Sequence, residues 1–147
     1  MRVVVAHCAS IGEDRDLDKG PNGPYVESFA LFARVFEKYP NAYGDISAMT
    51  QMNRAGPALV RAIESADWHA RLLNGSDYPL PGVMPLFSLS ALVKMGVLAE
   101  ANVPAIRELR RANPLLFDFT LKRSLSYRGS RFAAAAFETR DFFTRAS

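Results

Sequence analysis

His7, Ser47 and Asp77 are the residues of this chain whose types and placement could do chemistry together. Each follows a short run that reads as a β-strand. Val3-Val4-Val5-Ala6 precedes His7, Ala42-Tyr43-Gly44-Asp45-Ile46 leads to Ser47, and Arg71-Leu72-Leu73-Asn74 leads into Gly75-Ser76-Asp77-Tyr78-Pro79. In parallel α/β architectures, ligands gather at the carboxyl ends of the strands, so the three would share one rim. Imidazole and carboxylate are both zinc ligands and both general bases. His7 and Asp77 could therefore share a metal ion or a water. Each also has a plain structural reading: a His at a strand end is commonly hydrogen-bonded structure, and an Asp in a Gly-Ser-Asp turn can cap the next element.

A ligand count bounds that chemistry. A catalytic zinc takes three protein ligands and a water. His7 and Asp77 stand at the correct rim, no His-x-His occurs, and Asp45 sits mid-strand, facing an interior or a buried partner. The metal site is incomplete in this sequence. Cys8 adjoins His7, but neighbours on a strand point to opposite faces and cannot form a nucleophile–base pair there. Ser76 lacks the Gly-x-Ser-x-Gly frame of a nucleophile elbow. His69, just before the third strand, lies at the opposite rim and reads as surface structure. Asp14-Arg15-Asp16-Leu17-Asp18-Lys19-Gly20 is close to a calcium loop, yet its Gly is one position late and its twelfth position is Tyr25, so a solvated acidic loop is expected. There is no phosphate-cradling glycine loop.

The elements that must position these residues alternate. After the first strand comes a polar loop over 8–24, long enough to be functional. Helix one is expected from about Pro24 to Lys38, with Tyr25, Phe29, Phe32 and Phe36 as its apolar stripe. Helix two opens at Gly56-Pro57 and buries Leu59, Val60 and Ile63. Beyond the third strand the chain reads as helical over about 84–95, stopping near Gly96, then over 103–112, then from an Asn113-Pro114 cap. The turn 78–85 would join the loop 8–24 in lining a pocket. The unbroken β-branched run at 3–5 predicts a strand covered on both faces.

Composition agrees with one ordinary domain: 147 residues, 49% apolar, 22% charged, one Cys. A single Cys excludes a disulfide scaffold, and no apolar run suffices for a membrane span. A cytoplasmic setting without membrane partners is the expectation. The net charge is +3, made of about +5 from Arg107 onward and −2 before it. The basic charges are scattered among Phe and Ala, which argues against a nucleic-acid partner.

The segments around His7, over Lys38-Tyr39-Pro40-Asn41-Ala42-Tyr43-Gly44-Asp45-Ile46-Ser47-Ala48, and over Arg71 to Pro79 resemble the amidohydrolase-related metal-dependent hydrolases. More narrowly, they resemble the branch that holds the aminocarboxymuconate-semialdehyde decarboxylase relatives. The resemblance covers about residues 3–123, and Gly-Ser-Asp-Tyr-Pro is its most specific element. It implies a (β/α)8 barrel with one divalent metal, zinc foremost. It also implies that His7 matches the water-positioning His of strand six and Asp77 the metal-linked Asp of strand eight. The chain would then be the C-terminal part of such a TIM barrel, α/β in class, with strands one to five before Met1. Residues 1–123 would be the partial barrel, and 124–147 a tail packing on it or on a partner. Cys8-Ala9-Ser10 departs from the Gly-rich step common after that His, and most metal ligands are missing. The implied activity is hydrolysis of a small-molecule substrate by metal-activated water, with His7 and Asp77 as catalytic and metal residues. Decarboxylation by the same machinery, or a non-catalytic interaction module, are the alternatives. A homo-oligomer or a missing N-terminal half would be the protein partner.

Overall fold

The computed structural model describes residues 1–83 and 85–144. Three parallel strands form its main sheet: β1 (Val3–Val5), β4 (Ala42–Asp45) and β5 (Leu72–Leu73), in the order β1-β4-β5. Val5 registers with Gly44, and Gly44 with Leu72. The connections carry helices, as parallel pairing requires. α1 (Ser28–Lys38) lies between β1 and β4, and α2 (Pro57–Glu64) between β4 and β5. α3 (Leu89–Lys94), α4 (Val103–Ala112), α5 (Pro114–Ser124) and the short α6 (Arg140–Thr144) complete the chain. The fold is mixed α/β, and among the described residues its strands do not close into a barrel.

One core joins these parts. Phe32 and Phe36 of α1 pack around Trp68, with ring centroids 5.9 and 5.0 Å away, and Leu59 and Ile63 of α2 join the same cluster. Arg71 bolts the layer together. Its Nη1 donates to the carbonyls of Phe36 (2.7 Å), Tyr39 (3.1 Å) and Ala42 (2.9 Å), while its guanidinium lies 3.9 Å from the Phe36 ring centre. Open carbonyls at the end of α1 are thereby satisfied and held against the start of β4. Asn113 caps α5 as expected, accepting from Leu115 N and Leu116 N at 3.0 Å each.

Several expectations are corrected. β1 is not covered on both faces: Val3 and Val4, which as strand neighbours point to opposite faces, are 43% and 42% exposed, so neither face of this edge strand is fully packed over. The loop 8–24 is partly sheet, since β2 (Glu13–Arg15) and β3 (Tyr25–Glu27) pair antiparallel. Tyr25 therefore leaves the helical stripe, and α1 starts at Ser28, whose N–H donates to Gly12 O. Three-residue strands carry no readable alternation, which hid the hairpin. Gly23 lies so close to Asp16 that a Cβ there would fall 1.9 Å from the Asp16 carbonyl oxygen. The helix expected over 84–95 is shortened to Leu89–Lys94, with Ser88 Oγ accepting from Ala91 N at 3.2 Å (residue 84 lies outside the described residues).

His69 is not surface structure. It is 3% exposed, its Nε2–H donating to Ala62 O (3.0 Å) while Nδ1 accepts from Ala133 N (3.1 Å), so it ties α2 to the C-terminal segment. In that segment Phe132 is buried, Phe137 stacks edge-on with Phe119, and the Phe142 ring centre lies 4.7 Å from that of Tyr43. Phe143 is 75% exposed. The expected tail runs to residue 147, and 145–147 lie outside the described residues.

Nor are the carboxylates of the acidic loop all solvated. Asp14 accepts from Ser28 Oγ at 2.6 Å, and buried Asp16 takes both Nη atoms of Arg34 at 2.9 and 2.6 Å. The Arg34 hydrogen bonds hold Asp16 below the ordinary carboxylate value of 3.8. The folded state thus binds that proton more weakly than the unfolded chain does. The pair's stabilisation is complete above about pH 3.8 and is lost as pH falls through the lowered value. Arg34→Gln should lower the urea midpoint at pH 7 and flatten its decline below pH 4. Parallel acid profiles for the two proteins would refute that assignment.

Candidate functional site

The three strands end on one rim, and each turns there through a left-handed, non-glycine residue: His7 (φ 54°), Ala48 (φ 57°) and Asp77 (φ 55°). Such backbone is sparsely populated and persists where surrounding contacts over-determine it. After β4 those contacts are dense, because Ile46 to Gln51 are all buried.

Asp45 organises the rim. Its Oδ1 accepts from Ser47 N at 2.7 Å and its Oδ2 from Ser47 Oγ at 2.5 Å. The one hydroxyl proton of Ser47 is then committed, so Ser47 Oγ accepts from His7 Nδ1, 2.8 Å away. Nδ1 therefore carries a proton, and among the described residues Nε2 has no hydrogen-bond partner. Asp45 Oδ2 also lies 3.9 Å from His7 Nδ1. From the far end of the same turn, Gln51 Nε2 donates to Asp77 Oδ2 at 3.3 Å. The β4 turn thus grips the candidate residue on either side of it. His7 and Asp77 follow the two strands that flank β4 in the sheet.

Asp45 is the last residue of β4 rather than a mid-strand residue, and Gly75 makes room for its carboxylate: a Cβ at 75 would stand 2.7 Å from Asp45 Oδ1. Cys8 is buried, with Sγ donating to Asp45 O at 3.4 Å. Burial first, and the Asp45 charge second, push its thiol far up and disfavour the thiolate. The separation of Cys8 from His7 comes from the left-handed turn over residues 7–9, not from strand alternation.

Sequence reasoning missed two residues under the rim. Lys122 of α5 is 1% exposed and donates to Gly75 O (2.5 Å), Asn74 Oδ1 (3.4 Å) and Asp118 Oδ2 (2.7 Å). It anchors the turn that carries Asp77 to α5. Burial pushes the Lys122 pKa down and the Asp118 pKa up, each opposed by the other's charge. Their i, i+4 spacing was the available signal, but it marks a surface pair far more often than a buried one.

Among the described residues, no group of three His, Cys, Asp or Glu could hold a metal ion. His7 Nε2 and the Asp77 carboxylate suit a divalent cation in type, and they supply two donors of the three a catalytic zinc takes. Among the described residues, no helix is long and apolar enough to cross a membrane. No protein-family model, curated protein or solved structure matches the chain.

Lys122→Met should destabilise the fold by about 3–5 kcal/mol, because it leaves Asp118 buried and uncompensated. Lys122→Met combined with Asp118→Leu should recover most of that loss. Urea denaturation of the three proteins measures both, and a double variant no more stable than Lys122→Met would overturn the ion-pair account.

Proposed function

We propose that the chain is the C-terminal part of a (β/α) barrel enzyme, a metal-dependent hydrolase of the amidohydrolase-related type, with His7 and Asp77 in its active site. The observation that carries this reading is the β4 turn hydrogen-bonding both residues at once, to His7 through Ser47 and to Asp77 through Gln51. The β1-β4-β5 parallel order supports the barrel assignment, and so does the open edge of β1, where a further strand from another part of the protein would pair. The cytoplasm is the proposed compartment and a small molecule the proposed substrate.

A bound divalent ion, zinc foremost, would supply a water of lowered pKa. The protein's part is positional. Ser47 engages the His7 Nδ1–H, so that in the neutral ring Nε2 is the nitrogen able to hold a water or take its proton. Asp77 supplies an acceptor on the opposite side of the mouth. Asp45, reaching His7 through Ser47, stabilises the ring as positive charge develops on it. The same placement would serve release of CO2 from a carboxylated substrate, the nearest alternative activity. An interaction module is favoured only by the exposed Val3-Val4 edge.

In the protein completed by its remaining strands, Asp77→Asn should abolish turnover with the fold retained, and full activity would remove Asp77 from the mechanism. Ser47→Ala should cost 10–100-fold in metal affinity or activity, as loss of an outer-shell partner does. Purified alone, the 147-residue chain should hold no stoichiometric zinc after desalting. Elemental analysis checks this, and one tightly held zinc per chain would contradict the ligand count.

A further inference from the structure

A cavity of about 560 Å³ lies away from the His7 hydrogen-bond network, between the start of α3 and one side of α4. Arg107, Arg110 and Arg111 line it at i, i+3 and i+4 along α4, together with Phe87, Leu89 and the hydroxyls of Ser88 and Ser90. Among the described residues, no carboxylate lines it.

Arg110 forms one wall. Its Nη2 donates to Val83 O at 2.9 Å and its Nε to Pro81 O at 3.4 Å, and its guanidinium sits 5.2 and 5.1 Å from the ring centres of Phe87 and Phe117. Partial burial lowers its pKa. A partly desolvated guanidinium bonded only to carbonyls keeps an unneutralised charge, and two further cations on the same helix face repel it. Among the described residues, none of the three arginines has an ion-pair partner. Phe87, buried beneath them, gives the cavity an apolar floor.

From this we infer that the cavity is a binding site for a small organic anion, a carboxylate or phosphate monoester head carried on an apolar body. The head would bridge Arg107 and Arg111 in the forked geometry guanidinium offers to oxyanions, with the Ser90 hydroxyl beside it. The body would lie on Phe87 and Leu89, in a volume within the usual range for small-molecule sites. The site is independent of any chemistry at His7 and Asp77.

Calorimetric titration of the 147-residue chain with decanoate, decyl phosphate, inorganic phosphate and decanol tests the inference. Decanoate, decyl phosphate or both should bind at least tenfold more tightly than inorganic phosphate and decanol. The doubly substituted Arg107→Gln/Arg111→Gln protein, altered at two exposed positions, should lose tenfold or more for the amphiphilic anions. Ser90→Asp, which puts a like charge in the cavity, should do the same, with circular dichroism unchanged in both variants. Preference between the two heads would distinguish a fatty carboxylate from a phosphate ester as the natural source. Failure of both amphiphiles to bind at millimolar concentration would overturn the inference. So would equal affinity for inorganic phosphate, or undiminished affinity in both variants.

Discussion

The Asp45 carboxylate is the fixed point of this structure. Both of its oxygens are taken by Ser47, one from the backbone N–H and one from the hydroxyl, so the chain must turn immediately after β4. That turn stays buried through Gln51, where backbone polar groups find partners in the protein rather than in water. From it extend Ser47 toward β1 and Gln51 toward β5. Charge-assisted bonds of this kind are short and directional, and in a half-buried site they hold geometry that a surface pair would not.

The rest of the fold serves that turn from two sides. On the helix side, Gly44 admits Cys8, Phe32 and Leu72 so closely that a Cβ would meet each within about 3 Å, which brings α1 tight against β4. On the other side, Tyr43 and Leu73 face the C-terminal segment, where Phe142 packs on Tyr43 under the Arg2 guanidinium. Beneath the rim, the Lys122–Asp118 pair holds the Gly75 turn, so the loop carrying Asp77 is anchored from the helix layer as well as from β4. The outer edge of β5 is not bare either: Asn74 N donates to Ala136 O at 2.9 Å. In β1, at the other edge of this sheet, Val3 and Val4 stay exposed.

Much of the architecture was legible because its signals are local. Phe29, Phe32 and Phe36 recur with helical period, Asn113-Pro114 is a cap, and Gly96 ends a helix at φ 73°. The β-α-β-α-β order followed from these alternations. What escaped was set by partners distant in sequence. The β2–β3 hairpin joins segments whose own patterns are too short to read, and it took Tyr25 from the helix. Burial of His69 depends on Ala62 and Ala133, the latter 64 residues away. Lys122 looked like any helix-surface cation until α5 laid it against the Gly75 carbonyl.

His7, Ser47 and Asp77 were identifiable from residue type and position alone, since a polar residue after an apolar run marks a strand end whatever lies around it. The tautomer of His7, the role of Asp45 and the linkage of both flanking residues to one turn were decided by tertiary structure. A hydrogen bond's direction depends on every partner the atom has, and those partners come from three strands and a helix that meet only when the chain is folded.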